Sequence, residues 1–303
     1  MIRGRSAAQL GVTASIASST VFAVVFVLSA HLDATANELF GWRTFFTVAM
    51  LVGFLTMAKR WTGIKVLLRR ILDRPAIGLA LLVTAAMLGT QQWLFTWAPG
   101  QGRGLQVALG YFIMPIMLAL IGRIVFKERL GPWRISAVAV AAIAVTYQTV
   151  QVGGLSWETL VVALGYPIYF TVRRFAGIGG SAGLSAEMML TLPVAILLLL
   201  LDDPTMRTLQ HPDSAFSMIG FGILASIGLL LYIGASQLLP MSVFGLLSYL
   251  EPILLAVAAA LVLSEPLPAN ELPTYITIGL ALVLLAVESL VRQRPPRNQP
   301  LVG

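Results

Sequence analysis

The sequence contains no cysteine and only two histidines, His31 and His211, among its 303 residues. The first absence excludes disulfides, thiolate nucleophiles and sulfur-ligated metal sites. The second leaves a multi-histidine metal centre without ligands, so no metal or other cofactor is expected. Charge is scarce too: Asp, Glu, Lys and Arg make up 11% of the chain, against about 25% in a soluble globular domain. What fills the sequence instead is apolar, 58% of all residues, with a mean hydropathy of +0.88. A chain this poor in charge cannot cover itself with a water-facing surface, and is expected to be dissolved in lipid. No phosphate-binding loop is present. The glycine-rich stretch AGIGGSAG (176–183) has no strand before it and no lysine in it, so ATP is not implied. It reads as a flexible loop or hinge.

Apolar runs of about 20 residues, the length that crosses a bilayer core, alternate with breaks rich in charge, Pro and Gly. Ten spans are predicted, at 8–30, 36–58, 76–97, 103–125, 132–150, 156–174, 184–201, 215–236, 241–263 and 272–291. The basic start followed by an apolar run reads as the first of them and not as a removed signal peptide. With the N-terminus in the cytoplasm, sixteen of the 20 Lys and Arg fall in cytoplasmic segments, while most acidic residues fall on the other side. That satisfies the positive-inside rule. The net charge of +7 is therefore read as topology. No nucleic-acid partner is expected, because the positives lack interleaved aromatics.

One apolar segment is written twice. ALGYFIMPIMLALIGRIVFKERL (108–130) and FGLLSYLEPILLAVAAALVLSEPL (244–267) fall into line with a shift of 137. Pro115 then meets Pro252, Ala119 meets Ala256, and Glu128 meets Glu265. The repeat relates span four to span nine, so its unit is five helices, and an odd unit forces the second copy to enter the membrane inverted. The predicted fold is an all-α membrane protein of ten transmembrane helices in two inverted five-helix repeats, both termini cytoplasmic. Residues 1–150 form the first repeat, 151–291 the second, and 292–303 a cytoplasmic tail. Inverted repeats are typical of secondary transporters, which place their site near the midplane between the copies.

The mid-helix Pro followed by a helix-end Glu in both halves resembles the EamA domain of the drug/metabolite transporter superfamily. QWLFTWA (92–98), LGYFIMP (109–115), FKERL (126–130) and the pair Glu38 with Arg43 resemble its RarD branch, and the likeness runs from span two to span ten. It implies a ten-helix carrier of small organic metabolites in the cytoplasmic membrane, often working outward. One departure stands out: the RarD branch tends to have a small residue where this chain has Glu251, whereas the wider EamA family often has Glu-Pro there.

The candidate site residues are those that are costly at membrane depth. Glu251 lies near the middle of span nine, where a carboxylate costs roughly 2.5–3.5 kcal/mol on insertion scales. It is read as binding a substrate cation or carrying a coupled proton, with a neutral hydrogen-bonded acid as the plain alternative. Arg43 in span two always carries its charge and is read as a ligand for a substrate anion, or as an interfacial snorkel. Gln92, Tyr111 and Tyr249 are read as cavity lining that orients without charge, or as interhelical hydrogen bonds. Pro115 and Pro252 are read as helix kinks, because each removes a backbone N–H and so frees the carbonyl four residues earlier, Tyr111 and Ser248. Small residues in span one (Ala14–Ser19) and span five (Ala137–Ala144) allow close packing, within the chain or in a homodimer. Glu128 and Glu265 are expected to make local contacts with backbone or neighbouring loops.

These residues predict a secondary transporter, an exporter of a small organic metabolite or drug-like molecule working by alternating access. It would sit as a multi-pass protein in the cytoplasmic (inner) membrane, with the small-molecule substrate and the lipid bilayer as its partners. A passive channel or facilitator is the main alternative, and a scaffold or a membrane enzyme the lesser ones. The chain is not expected to be an enzyme, since no nucleophile–base pair is visible in any span.

Overall fold

The computed structural model describes residues 2–261 apart from Asp33, Gly102, Arg129, Pro204, 206–209 and His211; beyond 261 it describes only 272–274, 276, 277, 279–281 and 283. Among the described residues all regular structure is helical. The helices are α1 (Ile2–His31), α2 (Ala36–Met57), α3 (Trp61–Asp73), α4 (Pro75–Gly100), α5 (Gly104–Ile124), α6 (Pro132–Val152), α7 (Trp157–Ala176), α8 (Gly180–Asp202), α9 (Pro212–Leu238), α10 (Met241–Leu247) and α11 (Leu250–Leu261). Their boundaries carry ordinary stop and start chemistry. Thr35 and Glu38 close a capping box on α2, Ser156 caps α7, and α7 ends at Gly177 with φ +61°, a left-handed position that glycine occupies at little cost.

Seven of the described helices are long and apolar enough to cross a membrane: α1, α2, α4, α5, α6, α8 and α9. They coincide with seven of the ten predicted spans. The other three differ in instructive ways. Span six is α7, 20 residues and about 30 Å long, with Glu158 in its first turn and Arg173 and Arg174 in its last. Span nine is discontinuous. The chain is helical over Met241–Leu247, turns at Ser248 and Tyr249, and restarts at Leu250. Span ten is seen only as helical residues between 272 and 283, and 292–303 and Glu265 lie outside the described residues. One helix has no counterpart among the predicted elements. The stretch read as a cytoplasmic loop between spans two and three folds into α3.

Successive turns meet at alternate ends of the bundle. At one end Arg70 of α3 donates to the carbonyls of Ala176 and Gly177, Arg174 pairs with Glu128, and Gly11 of α1 lies against Leu238 and Leu239. At the other end Thr35 donates to Asp202 at 2.7 Å, and Arg103 pairs with Glu158 at 3.5 Å. The first end holds Lys59, Arg60, Lys127, Arg173 and Arg174; the second holds Glu38, Glu158, Asp202 and Asp203. The charge separation read along the chain is thus a separation in space.

The core follows from this weave. Glycines set its closest crossings: a Cβ on Gly245 would sit 2.6 Å from Leu118 Cβ and 3.0 Å from the Pro115 carbonyl, so α10 crosses α5 at its proline. The small residues of α1 and α6 are used within the chain. Ser15, Ser18 and Ser19 are buried, and Ala137, Ala141 and Ala144 pack with Leu109, Phe112 and Ala281. Thr274 reaches α6 as well, donating to Gln148 at 2.8 Å.

Candidate functional site

The two proline helices behave differently. Helix α5 runs unbroken through Pro115, whereas span nine breaks just before Pro252. The freed Ser248 carbonyl does not stay bare, since it accepts the Glu251 N–H at 3.3 Å in a tighter turn. The break places Glu251 in the first turn of α11, where the helix dipole favours a negative charge.

Glu251 borders a central cavity together with Phe22 of α1, Arg43 of α2, Gln91, Gln92 and Phe95 of α4, Tyr111 of α5, Tyr166 of α7 and Tyr232 of α9. Both predicted repeats contribute to it. The free space is about 10 Å³, room for roughly one water molecule. Arg43 and Glu251 are 4% and 7% exposed, and among the described residues no salt bridge joins them to each other or to a third group. The Arg43 guanidinium lies 5.9 Å over the Phe22 ring, and its Nε has no hydrogen-bond partner. Gln91 spends its amide N–H on the Val161 carbonyl at 2.7 Å, an approach that Gly165 permits because a Cβ there would lie 1.9 Å from Gln91 Nε2. The side-chain oxygens of Gln91 and Gln92 are left without donors. A buried acceptor or donor left unpaired costs about 1–3 kcal/mol. Several such groups surround one cavity, beside one cation and one carboxylate, and a polar guest is what would satisfy them.

Of the predicted lining residues, Arg43, Gln92, Tyr111 and Glu251 converge here. Tyr249 does not line the cavity. It is fully buried on the other side of the α10–α11 break, packed with Leu109 and Phe112, and its hydroxyl donates to the Phe112 carbonyl at 2.9 Å. Glu38 is no partner for Arg43, because its carboxylate accepts the Thr35 N–H within the capping box. Phe22, Gln91, Phe95, Tyr166 and Tyr232 complete the wall. Tyr166 and Tyr232 carried a signal, a phenol in the middle of an apolar run; Phe22 and Phe95 carried none.

An aromatic layer separates this cavity from the basic end. Phe170 and Phe244 stand at 5.1 Å between ring centroids, and Tyr232 and Phe244 at 4.8 Å. Beyond the layer a pocket of about 260 Å³ is lined by Phe170, Arg173, Arg174, Ile178, Gln237 and Met241, among others. Glu128 closes its rim. Its carboxylate accepts the Met241 N–H at 2.8 Å, the Ser242 N–H at 3.0 Å, the Ser242 hydroxyl at 2.7 Å and Arg174 at 3.3 Å. Burial works against its charge, but the bonds from Ser242, Met241 and Arg174 outweigh it and hold the carboxyl below its ordinary range. Glu128 does meet backbone, but the contact is not the local one expected: Met241 and Ser242 are more than a hundred residues away in sequence.

No protein-family model matches the chain. The chain is 34% identical over 283 residues to an uncharacterized transporter of Pasteurella multocida, which covers 93% of this chain and 97% of that one. It is 33% identical over 293 residues to a Pseudomonas aeruginosa protein named chloramphenicol-sensitive protein RarD, covering 95% and 98%. Protein RarD of Salmonella typhimurium is 28% identical over 262 residues, covering 86% and 88%. A crystal structure of a protein 16% identical in sequence superposes with a TM-score of 0.61 over 96% of this chain and 99% of its own, a likeness of fold.

Proposed function

Because the chain belongs to the RarD-like family of membrane transporters, we propose that it is a secondary transporter in the cytoplasmic membrane, carrying a small organic solute by alternating access. The observation that carries this reading is the central cavity. It is walled by both halves, shut from the basic end by the Phe170–Phe244 layer, and holds an unpaired Arg43 beside an unpaired Glu251. An alternating carrier passes through such an occluded state. We place the fold in the EamA class of the drug/metabolite transporters, with ten spans. Residues 1–150 and 151–291 are its inverted halves, and the basic end faces the cytoplasm, as the positive-inside rule requires.

Solute enters from the 260 Å³ pocket at that end when the Glu128 latch and the aromatic layer part. It takes Arg43 with an anionic group and Glu251 with a cationic one, and stacks on Tyr111, Tyr166 or Tyr232. This favours a zwitterion or a polar aromatic amphiphile, and outward movement. Proton coupling through Glu251 is part of the proposal, since Glu251 is the one carboxylate among the residues that line the cavity.

The test is counterflow in proteoliposomes with pooled labelled amino acids, organic acids, nucleosides and chloramphenicol, with and without a pH gradient. A zwitterionic or aromatic solute exchanged by the native chain, and lost in both Glu251→Gln and Arg43→Gln, is the expected result. Trans-stimulation absent for every solute would reject the carrier in favour of a facilitator, and flux indifferent to the gradient would reject proton coupling.

A further inference from the structure

Helix α3 presents a face that is open among the described residues. Trp61, Ile64, Leu68 and Leu72 recur at helical spacing, so they form one stripe. Leu68 is 55% and Leu72 82% exposed, and Trp61 is also at the surface. The opposite flank is docked. Leu67 is buried, Gly63 meets Ala182 of α8 and Gly78 of α4 meets Ile71, and Arg70 donates to the carbonyls of Gly177 and Ala176 at 2.9 and 2.8 Å. These contacts all fall on the end turns of α4, α7 and α8, so α3 lies across the basic end of the bundle. Its polar flank is cationic. Lys65 and Arg69 border the apolar stripe, and Lys59, Arg60 and Arg74 stand at its ends, with Asp73 the one acid among them.

We infer that α3 lies in the headgroup layer of the membrane and binds anionic phospholipid, its apolar stripe among the upper acyl chains and Lys65 and Arg69 on the phosphates. The occupant follows from continuity. Helix α2 ends at Met57 and α4 starts at Pro75, both candidate membrane spans, so α3 lies at the level of the bilayer surface, within reach of its headgroups. An amphipathic helix with Trp and Leu on one side and Lys and Arg on the other binds that surface by apolar burial plus attraction to negative lipid. Lysine and arginine at the edge of the stripe snorkel to the phosphates. Through Arg70 the bound leaflet is tied to the turn that carries Gly177 and Gly180, beside the Arg173 and Arg174 pocket.

The lack of native cysteine makes the test direct. Full-length protein carrying a single bimane label at Leu72→Cys, or as a control at Asp73→Cys, is reconstituted in phosphatidylcholine vesicles with or without phosphatidylglycerol. A doxyl-labelled lipid then quenches whichever label lies among the chains. Strong quenching at position 72, weak quenching at 73, and an increase with phosphatidylglycerol that the Lys65→Gln/Arg69→Gln variant lacks are expected. Native mass spectrometry of the same samples should show the ratio of retained phosphatidylglycerol to phosphatidylcholine falling by about tenfold or more in that variant, with thermal unfolding unchanged. Equal quenching at both positions, or lipid retention indifferent to the two cations, overturns the assignment. So does shielding of position 72 that grows with the protein-to-lipid ratio, which gives the face to a second copy of the chain.

Discussion

Two buried arginine–glutamate constellations sit in this bundle, and they are built to opposite ends. Arg173 and Glu187 meet at 2.7 Å. Tyr169 donates to the same carboxylate oxygen at 3.1 Å, and Arg173 spends its remaining donors on the Tyr169 hydroxyl and on the carbonyls of Ile178 and Gly180. Arg43 and Glu251 share a cavity and make no such bond. The first arrangement cancels its charge on the spot and ties α7 to α8. The second keeps both charges for something not yet there. Burial alone therefore does not mark a functional charge; what marks it is burial without a partner, beside free space.

Breaking the closed pair should have the largest effect. Glu187→Gln leaves the Arg173 guanidinium buried without a counter-charge, and loss of one member of such a pair costs about 3–5 kcal/mol. A marked fall in apparent Tm in detergent is expected, with transport falling in step with folded protein. An unchanged Tm would make the pair an ornament of α7 and α8 and erase the contrast. Glu251→Gln is the matching experiment on the open constellation. It breaks no bond, so the Tm should hold or rise while exchange of solute falls by at least about tenfold, as expected when a buried polar guest loses its partner. A variant as unstable as Glu187→Gln would instead make Glu251 a structural acid.

Glu128 stands between these extremes, near the surface and held by four donors. Its carboxyl titrates lower in the folded chain than in the unfolded one. Its contribution is therefore complete above the ordinary carboxylate range, near pH 4, and is lost as pH falls through the folded value. The latch is thus fully engaged at neutral pH. Charge-assisted bonds of this kind contribute about 1.5–3 kcal/mol when buried, and solvent at the rim reduces that to about 1–2 kcal/mol. Glu128→Gln should lower stability by that amount at pH 7 and flatten the acid limb of the Tm–pH curve. An acid limb identical to that of the native chain would show that the latch contributes nothing.

Much of this was legible in the sequence, for physical reasons that also explain the misses. A run such as Leu197–Leu201 announces membrane depth, and lone Arg43 or Glu251 inside one announces a need for a partner or a cavity, because each is expensive there. Depth is not direction. A helix as uniformly apolar as α9 does not show which face turns inward, so Tyr232, though a phenol in an apolar run, was placed at the cavity only once the helices were packed, and Phe22 of α1 gave no sign at all. Helix α3 escapes the hydropathy reading for the converse reason. Its charges dilute the hydropathy of any long window, and only the spacing of Trp61, Ile64, Leu68 and Leu72 marks it as a helix. The sequence repeat matched Pro115 with Pro252, but not the outcome at each: α5 stays whole while span nine breaks.

Tyr249 provides the smallest and most discriminating test. It precedes Glu251 by two residues, and two residues along a helix turn a side chain by about 200°. If one of them faces the cavity the other must face away, and the turn at Ser248 and Tyr249 does not undo that. Its hydroxyl makes a single bond, to Phe112 O of α5. Tyr249→Phe removes that bond and leaves the ring packed against Leu109 and Phe112, so a loss of about 1 kcal/mol or less is expected. Affinity for the transported solute should be unchanged. Glu251→Gln, two residues on, should show the reverse: stability kept and exchange lost. A Tyr249→Phe variant that keeps its Tm but loses affinity would move Tyr249 into the binding site, and the break in span nine would then have to rotate during the cycle to bring it there.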